Sequence, residues 1–345
     1  MFTRTTVLVT GGAGFVGARL VPRLLAAGHR VRVLDRFLYG DEPLSDLRSH
    51  SGLHCVRGDV RDSNAVAEAL EGSEQVVHLA SISDVESFDL DPALARSINL
   101  DGLATVVRQA SRAGVLGFLH LTSTDVYGTP AGLVTETAKL VPQSALARCE
   151  IACESLVHGT LARGLAAATL RVAPLAGWSP RMRFDLPVND FAVRGFFLRE
   201  TQHRSFESLS HAVHVDDLVE LLARMLRWPV DVWEGQVFNV VGRGLRDSHS
   251  SHSSHPSALP PAAFVDSHAA TLDLPSSFPS DLPSHSGLSL EQTLGWRPSR
   301  AADLALREVV ERLGHGEFSD ALTNPRYSNA ESLRRLDRGE LRRAA

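Results

Sequence analysis

Short apolar runs rich in β-branched residues alternate with longer amphipathic segments through the first half of the chain. Six of these runs are apolar on both faces, as in strands of a covered sheet: 6–10, 30–35, 54–59, 75–80, 117–123 and 166–173. Between them, residues 16–28, 63–72 and 98–114 have the pattern of helices. Strands that alternate with helices of this length indicate parallel βαβ units with right-handed crossovers. The pattern therefore predicts an α/β fold built on a doubly wound parallel sheet.

The pattern becomes irregular after residue 174, where loops mix with helices. The clearest helix of the second half is predicted over 215–228. We expect residues 1–174 to form the first domain and residues 175–325 a smaller, mixed α/β C-terminal lobe that holds the substrate. Residues 211–242 are expected to pack back on the first domain, so the boundary between the two is not sequential.

Two segments of the second half lack the composition of a packed core. Residues 246–262 are rich in Ser, His and Pro and predict a flexible loop. Its His249, His252 and His255 suggest a metal site, but no acidic or Cys ligand lies among them, so a mobile loop is favoured and no metal is expected. The Arg-rich tail over 326–345 predicts a solvated helix or a disordered segment.

Composition narrows the classes of function. The hydrophobic content of 43% supports a sizeable core, yet no apolar run reaches the length of a membrane span, so no membrane partner is expected. The net charge of −5 gives no electrostatic reason to expect a nucleic acid. Three cysteines are too few for a disulfide framework, and the N-terminus leads directly into a strand instead of a signal peptide. We therefore predict a cytoplasmic protein.

A glycine-rich turn, TGGAGFVG, follows the first predicted strand and opens a helix. Gly11, Gly14 and Gly17 permit a tight turn, a close approach of the backbone to a pyrophosphate, and a close helix–strand contact. The first turn of the helix, with Phe15 and Val16, offers free N–H groups and a partial positive charge to phosphates. The segment therefore predicts a dinucleotide-binding site.

The end of the second predicted strand indicates which dinucleotide is bound. Asp35 lies there, eighteen residues after Gly17. A carboxylate at this position can accept hydrogen bonds from both ribose hydroxyls of NAD and would repel the 2′-phosphate of NADP. The neighbouring Arg36 could tolerate that phosphate, so NADP stays the less favoured alternative to NAD.

The GGxGxxG spacing resembles that of the extended short-chain dehydrogenase/reductases, the nucleotide-sugar epimerase/dehydratase family, and the resemblance covers nearly the whole chain. GDVRD resembles the segment with the family's adenine-contacting pair, HLAS the strand end that lines the dinucleotide, and Asn99 lies in the family's N-x-x-G context. The resemblance implies a Rossmann-like fold. The cofactor contacts it implies, together with the turn and Asp35, are Gly11, Gly14, Phe15, Val16, Asp35, Arg36, Asp59, Val60, Leu79, Ala80, Ser81 and Asn99.

The chain departs from this family in a predicted helix over 142–154, PQSALARCEIACE. The family pattern P-x-S-x-Y-x-x-x-K-x-x-x-E has a Tyr that transfers a proton to or from a sugar oxygen and a Lys that lowers the pKa of that Tyr. Here the register places Leu146 at the Tyr position and Glu150 at the Lys position. Leu has no exchangeable proton, and Glu reverses the charge that would stabilise a tyrosinate. We therefore expect the Tyr–Lys pair to be absent.

LTSTDVYG resembles the family's active-site strand end and leaves other candidates for proton transfer. Ser123 stands where the family has a Ser or Thr that hydrogen-bonds the reacting oxygen, and Asp125 where its dehydratases carry an acidic residue. A carboxylate in a cleft can have its pKa raised towards neutrality and act as both acid and base, although Asp125 could also be a simple cap. Tyr127 could relay a proton or could pack under the loop. Ser123, Asp125 and Tyr127 form the predicted catalytic set.

The substrate region is less well defined by the sequence. The position of the family's diphosphate-binding Arg falls on Ser210, so the resemblance implies a sugar-like substrate without settling whether it is linked to a nucleotide. Arg181, Arg183 and Asn189 lie in the stretch that lines the family's substrate cleft, and they are the predicted substrate contacts.

Three functions fit these observations. The first is an NAD-binding epimerase/dehydratase-type enzyme that isomerises or eliminates by proton transfer at Asp125. The second is a catalytically inactive NAD-binding scaffold or sensor. The third is an ordinary NAD-dependent sugar reductase or epimerase in which Tyr127 and Lys139 replace the missing pair. Relatives dimerise through helices that correspond to 98–114 and 142–161, so a homodimer is also implied.

Overall fold

The computed structural model of the chain describes residues 5–130, 132–161, 164–199, 211–243 and 284–336. The predicted flexible loop over 246–262 lies outside the described residues. So do Ser210 and residues 337–345 of the predicted tail.

The strands of the described ranges form one large sheet and two short pairs. A parallel sheet contains β1 (Thr6–Thr10), β2 (Arg30–Asp35), β3 (Leu53–Arg57), β4 (Gln75–His78), β5 (Gly117–Ser123), β7 (Ala166–Val172) and β10 (Val237–Val240). Two short parallel pairs join β6 (Leu133–Val134) to β11 (Ser284–His285) and β8 (Leu175–Ala176) to β9 (Val213–His214). Over the described residues the seven strands of the sheet lie in the order β10-β7-β5-β4-β1-β2-β3. The doubly wound α/β fold is confirmed, with the strand order reversing between β1 and β4.

Helices cover the sheet and build the second half. They are α1 (Gly17–Ala26), α2 (Ser63–Leu70), α3 (Val85–Leu90), α4 (Pro92–Arg96), α5 (Leu103–Ala113), α6 (Ala145–His158), α7 (Pro187–Leu198), α8 (Val215–Met225), α9 (Leu288–Leu294), α10 (Ala302–Gly314) and α11 (Asn329–Arg335). Short 3₁₀ turns span Glu42–Leu47, Thr124–Tyr127, Val230–Val232 and Pro325–Tyr327. The helix predicted over 98–114 is divided, because Ser97–Gly102 forms a π-helical turn before α5 begins.

The apolar side chains of the strands pack on both faces of the sheet. Successive side chains of a strand point to opposite faces of the sheet. Accordingly, Val7 and Val9 of β1 pack into the apolar cluster under α1 and α8, whereas Leu8 packs into the cluster under α2, α5 and α6. Since both faces of the sheet are covered around its central strands, β1, β4, β5 and β7 are buried almost throughout, whereas the edge strand β3 is largely exposed.

The beginning of the Arg-rich tail is part of the packed structure, so the prediction of a solvated tail is wrong over the described residues. Tyr327, Ala330 and Leu333 are buried, and Leu333 joins the same apolar cluster as Ile82 and Phe88. Ser328 caps α11 by accepting a hydrogen bond from the backbone N–H of Glu331. The buried apolar residues of this segment lie at helical spacing, but the paired arginines made that pattern hard to recognise in the sequence.

Two histidines are buried side by side in the sheet. His78 on β4 and His120 on β5 are neighbours in register, with ring centroids 5.8 Å apart. Burial lowers the pKa of His78 to about 4, and burial together with the charge of His78 lowers the pKa of His120 to about 3. Both imidazoles are therefore neutral in the folded protein over the range in which an unfolded chain would protonate them.

We expect the folded protein to lose stability as the pH falls from about 6.5 towards about 4, because only the unfolded state binds these protons readily. Each imidazole would contribute up to about 1.4 kcal/mol per pH unit within this window. Urea unfolding across the window measures the slope, and His120→Leu should reduce it relative to the wild type. His158→Gln, at an exposed position, is the control. Equal slopes for His120→Leu and wild type would contradict the prediction.

Candidate cofactor and active site

The glycine-rich turn after β1 is tightly packed against the end of β4. Gly11 has a φ of +70°, and a Cβ there would lie 2.8 Å from the backbone nitrogen of Ala80. A Cβ at Gly17 would lie 2.5 Å from the carbonyl oxygen of Gly11. Both positions therefore require glycine, and the turn delivers the first residues of α1 to the carboxyl edge of the sheet.

Asp35 connects this turn to the end of β2. Its carboxylate accepts hydrogen bonds from the backbone N–H groups of Ala13, at 2.9 Å, and Phe37, at 2.7 Å. Burial raises the pKa of Asp35, and these two N–H groups oppose the rise. The carboxylate is thus held in place beside the turn, where the sequence predicted it.

Arg36 forms an ion pair with Asp59. The guanidinium of Arg36 lies 2.8 Å from the Asp59 carboxylate, which Arg61 also contacts at 2.8 Å. Although burial opposes it, hydrogen bonds and charge from Arg61 and charge from Arg36 hold the pKa of Asp59 below its usual value. The charge of Arg36 is therefore partly balanced within the protein, which weakens the case for NADP.

These groups line a single cleft at the carboxyl ends of β1 to β4, where the strand order reverses. Such a crevice is the usual ligand site of an open α/β sheet. Nine of the predicted cofactor residues line the cleft: Gly11, Gly14, Asp35, Arg36, Asp59, Val60, Leu79, Ala80 and Ser81. The cleft is also lined by five residues that no sequence motif marked: Phe37, Leu38, Tyr39, Ile82 and Ile98.

The remaining three predicted cofactor residues are not among the residues that line the cleft. Phe15 is buried in the core, and Val16 packs partly buried against it. Asn99 is buried, and its side-chain amide bonds both the N–H and the C=O of Ile82, at 2.8 and 2.9 Å. Asn99 therefore positions a lining residue, a role that a sequence motif alone does not distinguish from direct contact.

The helix with the departing motif, α6, forms as predicted. Ser144 caps it by accepting a hydrogen bond from the backbone N–H of Ala147 at 3.0 Å. Leu146, at the Tyr position, is 3% exposed and lies in an apolar cluster with Cys149 and Cys153. This position contributes to the core.

Glu150, one turn later, lies against the end of β5. The hydroxyl of Ser123 donates a hydrogen bond to Oε2 of Glu150 at 2.7 Å and accepts one from the backbone N–H of Asp125 at 3.3 Å. Burial raises the pKa of Glu150 to about 8, the negative charges of Asp125 and Glu154 add to the rise, and the Ser123 hydrogen bond opposes it. Sequence reasoning treated Glu150 only as a lost Lys and missed this contact.

Asp125 is the second residue of the 3₁₀ turn Thr124–Tyr127 after β5, and its side chain is exposed. Partial burial by the surrounding protein raises the pKa of its carboxyl group. Ser123 and Asp125 are therefore together at the strand end, as the sequence predicted, with Glu150 as an additional neighbour.

Tyr127 has a different position from the one predicted for a proton relay. It is 2% exposed, its hydroxyl donates to Asn239 at 2.8 Å, and Arg171 donates to that hydroxyl at 2.7 Å. Lys139, in contrast, has an exposed side chain. Tyr127 is thus a buried, structural residue and does not fit the catalytic set, because strand β7 brings Arg171 to its hydroxyl.

The three predicted substrate contacts are also buried. Asn189 bonds the backbone of Gly177 and Arg183, and Arg183 pairs with Asp185 at 2.9 Å and with Asp84 at 3.3 Å. Arg181 donates to Asn329 of α11 at 2.8 Å. Each side chain is engaged by the protein itself, and Arg183 links the two halves of the chain through Asp84, so their role as substrate contacts stays a prediction.

Within the described part of the chain, no group of three His, Cys, Asp or Glu side chains is arranged to hold a metal ion. No helix among the described residues is long and apolar enough to cross a membrane.

Comparison with known proteins adds independent findings. The family model described as "NAD dependent epimerase/dehydratase family" matches residues 7–241. A UDP-glucose 4-epimerase of Lacticaseibacillus casei is 30% identical over 179 residues, which are 51% of this chain and 53% of that protein. A dTDP-glucose 4,6-dehydratase of Streptomyces griseus is 36% identical over 147 residues, which are 41% of this chain and 44% of that protein. The chain thus spans about half the length of the curated relatives it matches.

A solved structure extends the similarity beyond the aligned half. The crystal structure of DesIV, a dTDP-glucose 4,6-dehydratase from Streptomyces venezuelae with NAD bound, has a TM-score of 0.71 and 25% sequence identity. The superposition covers 90% of this chain and 98% of that chain.

Proposed function

The chain belongs to the NAD dependent epimerase/dehydratase family, and from that premise we propose that it is an enzyme that binds NAD and acts on a sugar nucleotide or a sugar-like ketone. Proton transfer next to the reacting carbonyl, by Asp125 with the help of Ser123, would give isomerisation or elimination. The observation that supports this most is the group formed by Ser123, Asp125 and Glu150 at the end of β5.

The cleft has the features that NAD requires. The turn at Gly11 and Gly17 leaves no room for a Cβ, so the backbone can approach a pyrophosphate closely. Asp35 presents a carboxylate at the end of β2 for the ribose hydroxyls, while Arg36 is drawn towards Asp59. When bound, NAD supplies a two-electron acceptor for the carbon that bears the reacting hydroxyl. The structures of relatives with bound NAD support the same assignment.

Asp125 suits proton transfer because of its position and its raised pKa. It follows β5, and β5 is the neighbour of β4, whose end lines the cofactor cleft. Ser123, two residues earlier, can hydrogen-bond the substrate oxygen and so polarise the carbonyl group. A carboxyl group with a raised pKa can return the proton it has removed, which isomerisation and elimination both need.

We expect Asp125→Asn to lower turnover of dTDP-glucose or UDP-glucose by about 100-fold, because it removes the acid/base group and keeps its shape. Product formation followed by chromatography measures turnover, and calorimetry should show unchanged affinity for NAD. Asp231→Asn, at an exposed position in the 3₁₀ turn Val230–Val232, is the matched control. Wild-type turnover in Asp125→Asn with NAD still bound would refute the assignment.

The non-enzymatic alternative, an NAD-binding scaffold or sensor, is favoured by the burial of Leu146 in the core. It predicts that the wild-type protein retains NAD but converts neither sugar nucleotide. The third alternative, with Tyr127 and Lys139 as a relocated pair, is disfavoured because one is buried and hydrogen-bonded and the other is exposed.

A further inference from the structure

We propose that Glu150, acting through the hydroxyl of Ser123, accepts and returns the proton of the substrate's reacting hydroxyl group. The inference rests on the proposed function and assigns the step that Asp125 does not perform. Asp125 would move a proton at carbon, whereas Glu150 would receive the proton that leaves oxygen.

The hydrogen bonds of Ser123 set the direction of this transfer. A serine hydroxyl has one proton and two lone pairs. The proton is directed to Oε2 of Glu150 at 2.7 Å, and one lone pair accepts the longer bond from the Asp125 N–H at 3.3 Å. The second lone pair can accept the hydrogen of a substrate hydroxyl. Ser123 is therefore arranged to receive a proton on its oxygen while it passes its own proton to Glu150.

The step balances with NAD as the oxidant. The O–H bond of the substrate breaks as a new O–H bond forms at Oγ of Ser123, and the original Ser123 O–H bond breaks as one forms at Oε2 of Glu150. With NAD bound as the two-electron acceptor, the hydrogen on the carbon that bears the reacting hydroxyl would leave with its electron pair. Ser123 ends unchanged, Glu150 gains one proton, and reduction of a ketone follows the same path in reverse.

Glu150 differs from its neighbour on the same face of α6. Glu154 is 8% exposed and fully paired, with two hydrogen bonds from Arg171 and one from Thr122. Glu150 instead receives its hydrogen bond from a neutral hydroxyl at the strand end. A carboxylate whose hydrogen-bond donor is a neutral hydroxyl keeps the capacity to take up a proton.

Burial and the surrounding charges bring the pKa of Glu150 close to neutral pH. Groups from three elements surround Glu150. Ser123 ends β5 and Asp125 follows it, Glu154 and Cys153 lie on α6, and Arg171 on β7 acts through its ion pair with Glu154. Burial and the two acidic neighbours raise the pKa of Glu150 to about 8. Both protonation states are therefore accessible near neutral pH, as a group that accepts and returns a proton requires.

The decisive variant is Glu150→Gln, which keeps the shape and hydrogen-bonding capacity of the side chain but cannot take up the proton. NAD-loaded protein is mixed with dTDP-glucose or UDP-glucose, and NADH formed in the first turnover is followed by absorbance. We expect a loss of about 100-fold or more in Glu150→Gln and in Ser123→Ala. Glu234→Gln, an exposed position far along the chain, should react at the wild-type rate.

The pH dependence separates this role from a structural one. In the wild type, NADH formation should rise with pH and level off above about 8, because the carboxylate is the accepting form. The rise should disappear in Glu150→Gln. A second measurement needs no turnover: ¹³C NMR of carboxyl-labelled glutamate should show one resonance titrating near that value, which is absent from Glu150→Gln.

The outcomes also separate this inference from the proposed function. Asp125→Asn should still form NADH in the first turnover and fail afterwards, whereas Glu150→Gln should fail at the first step. Wild-type turnover in Asp125→Asn therefore counts against the proposed function and does not affect the role assigned to Glu150. Wild-type NADH formation in Glu150→Gln, or a Glu150 carboxyl that titrates at the usual value for glutamate, overturns the inference. Wild-type protein that retains NAD but forms no NADH with either probe overturns both.

Discussion

Gly11→Ala is expected to weaken the binding of NAD by at least about 100-fold, roughly 2.7 kcal/mol. The added methyl group would lie 2.8 Å from the backbone nitrogen of Ala80 and 2.9 Å from its Cα, so the clash is with backbone atoms that cannot rotate away. The φ of +70° at this residue adds strain for any L side chain. Relief requires the turn to move away from the end of β4, which deforms the cleft that both segments line.

Calorimetric titration with NAD measures this effect, with thermal unfolding as a check on folding. Gly28→Ala is the matched control, because Gly28 also has a positive φ, of +87°, but a Cβ there meets nothing within 4 Å. It should cost about 1 kcal/mol of stability through backbone strain alone and leave the affinity for NAD unchanged. If Gly11→Ala bound NAD as tightly as Gly28→Ala, the close packing of the turn would not be what shapes the site.

Arg171→Met is expected to lower the free energy of unfolding by about 3–5 kcal/mol, the usual effect of removing one partner of a buried ion pair. Arg171 donates two hydrogen bonds to Glu154, at 2.9 and 2.6 Å, and one to the hydroxyl of Tyr127 at 2.7 Å. Methionine has a similar length but leaves the buried Glu154 carboxylate without its countercharge. The carboxyl group must then become protonated or draw water into the interior.

Urea unfolding measures the loss, and two variants define its origin. Arg194→Ala removes an exposed pair with Asp190 and should change stability by at most about 1 kcal/mol. Replacing Arg171 and Glu154 together by methionine removes both charges, so a large part of the loss should return. A single Arg171→Met variant as stable as Arg194→Ala would show that the network does not support the fold.

The positions of Tyr127 and Glu150 show the limit of sequence reasoning at the site. Both stand in recognisable motifs, but the motifs left open whether Tyr127 relays a proton or packs under the loop, and they gave no hydroxyl partner for Glu150. Tyr127 is drawn inward by Arg171 and Asn239, which lie 44 and 112 residues further along the chain. Glu150 meets Ser123 across 27 residues. The sequence offers no local signal for such contacts, although two glutamates one helical turn apart, beside a strand that ends in Ser, would have been a reason to look.

The sequence by itself determined strands β1 to β5 and β7, helices α1, α2, α5 and α6, the glycine turn and the carboxylate at the end of β2. These follow from local regularities: the period of apolar residues, and backbone geometries that only glycine adopts. Strand β10 was not predicted, because it has only four residues after an irregular segment and shows no clear period of apolar residues. Only the tertiary structure decided which polar groups lie close together. It determined which arginines form ion pairs with carboxylates and which carboxyl group accepts a hydrogen bond from a hydroxyl. Those outcomes depend on strand order and helix packing, which join residues far apart in the chain and set burial and charge at each site.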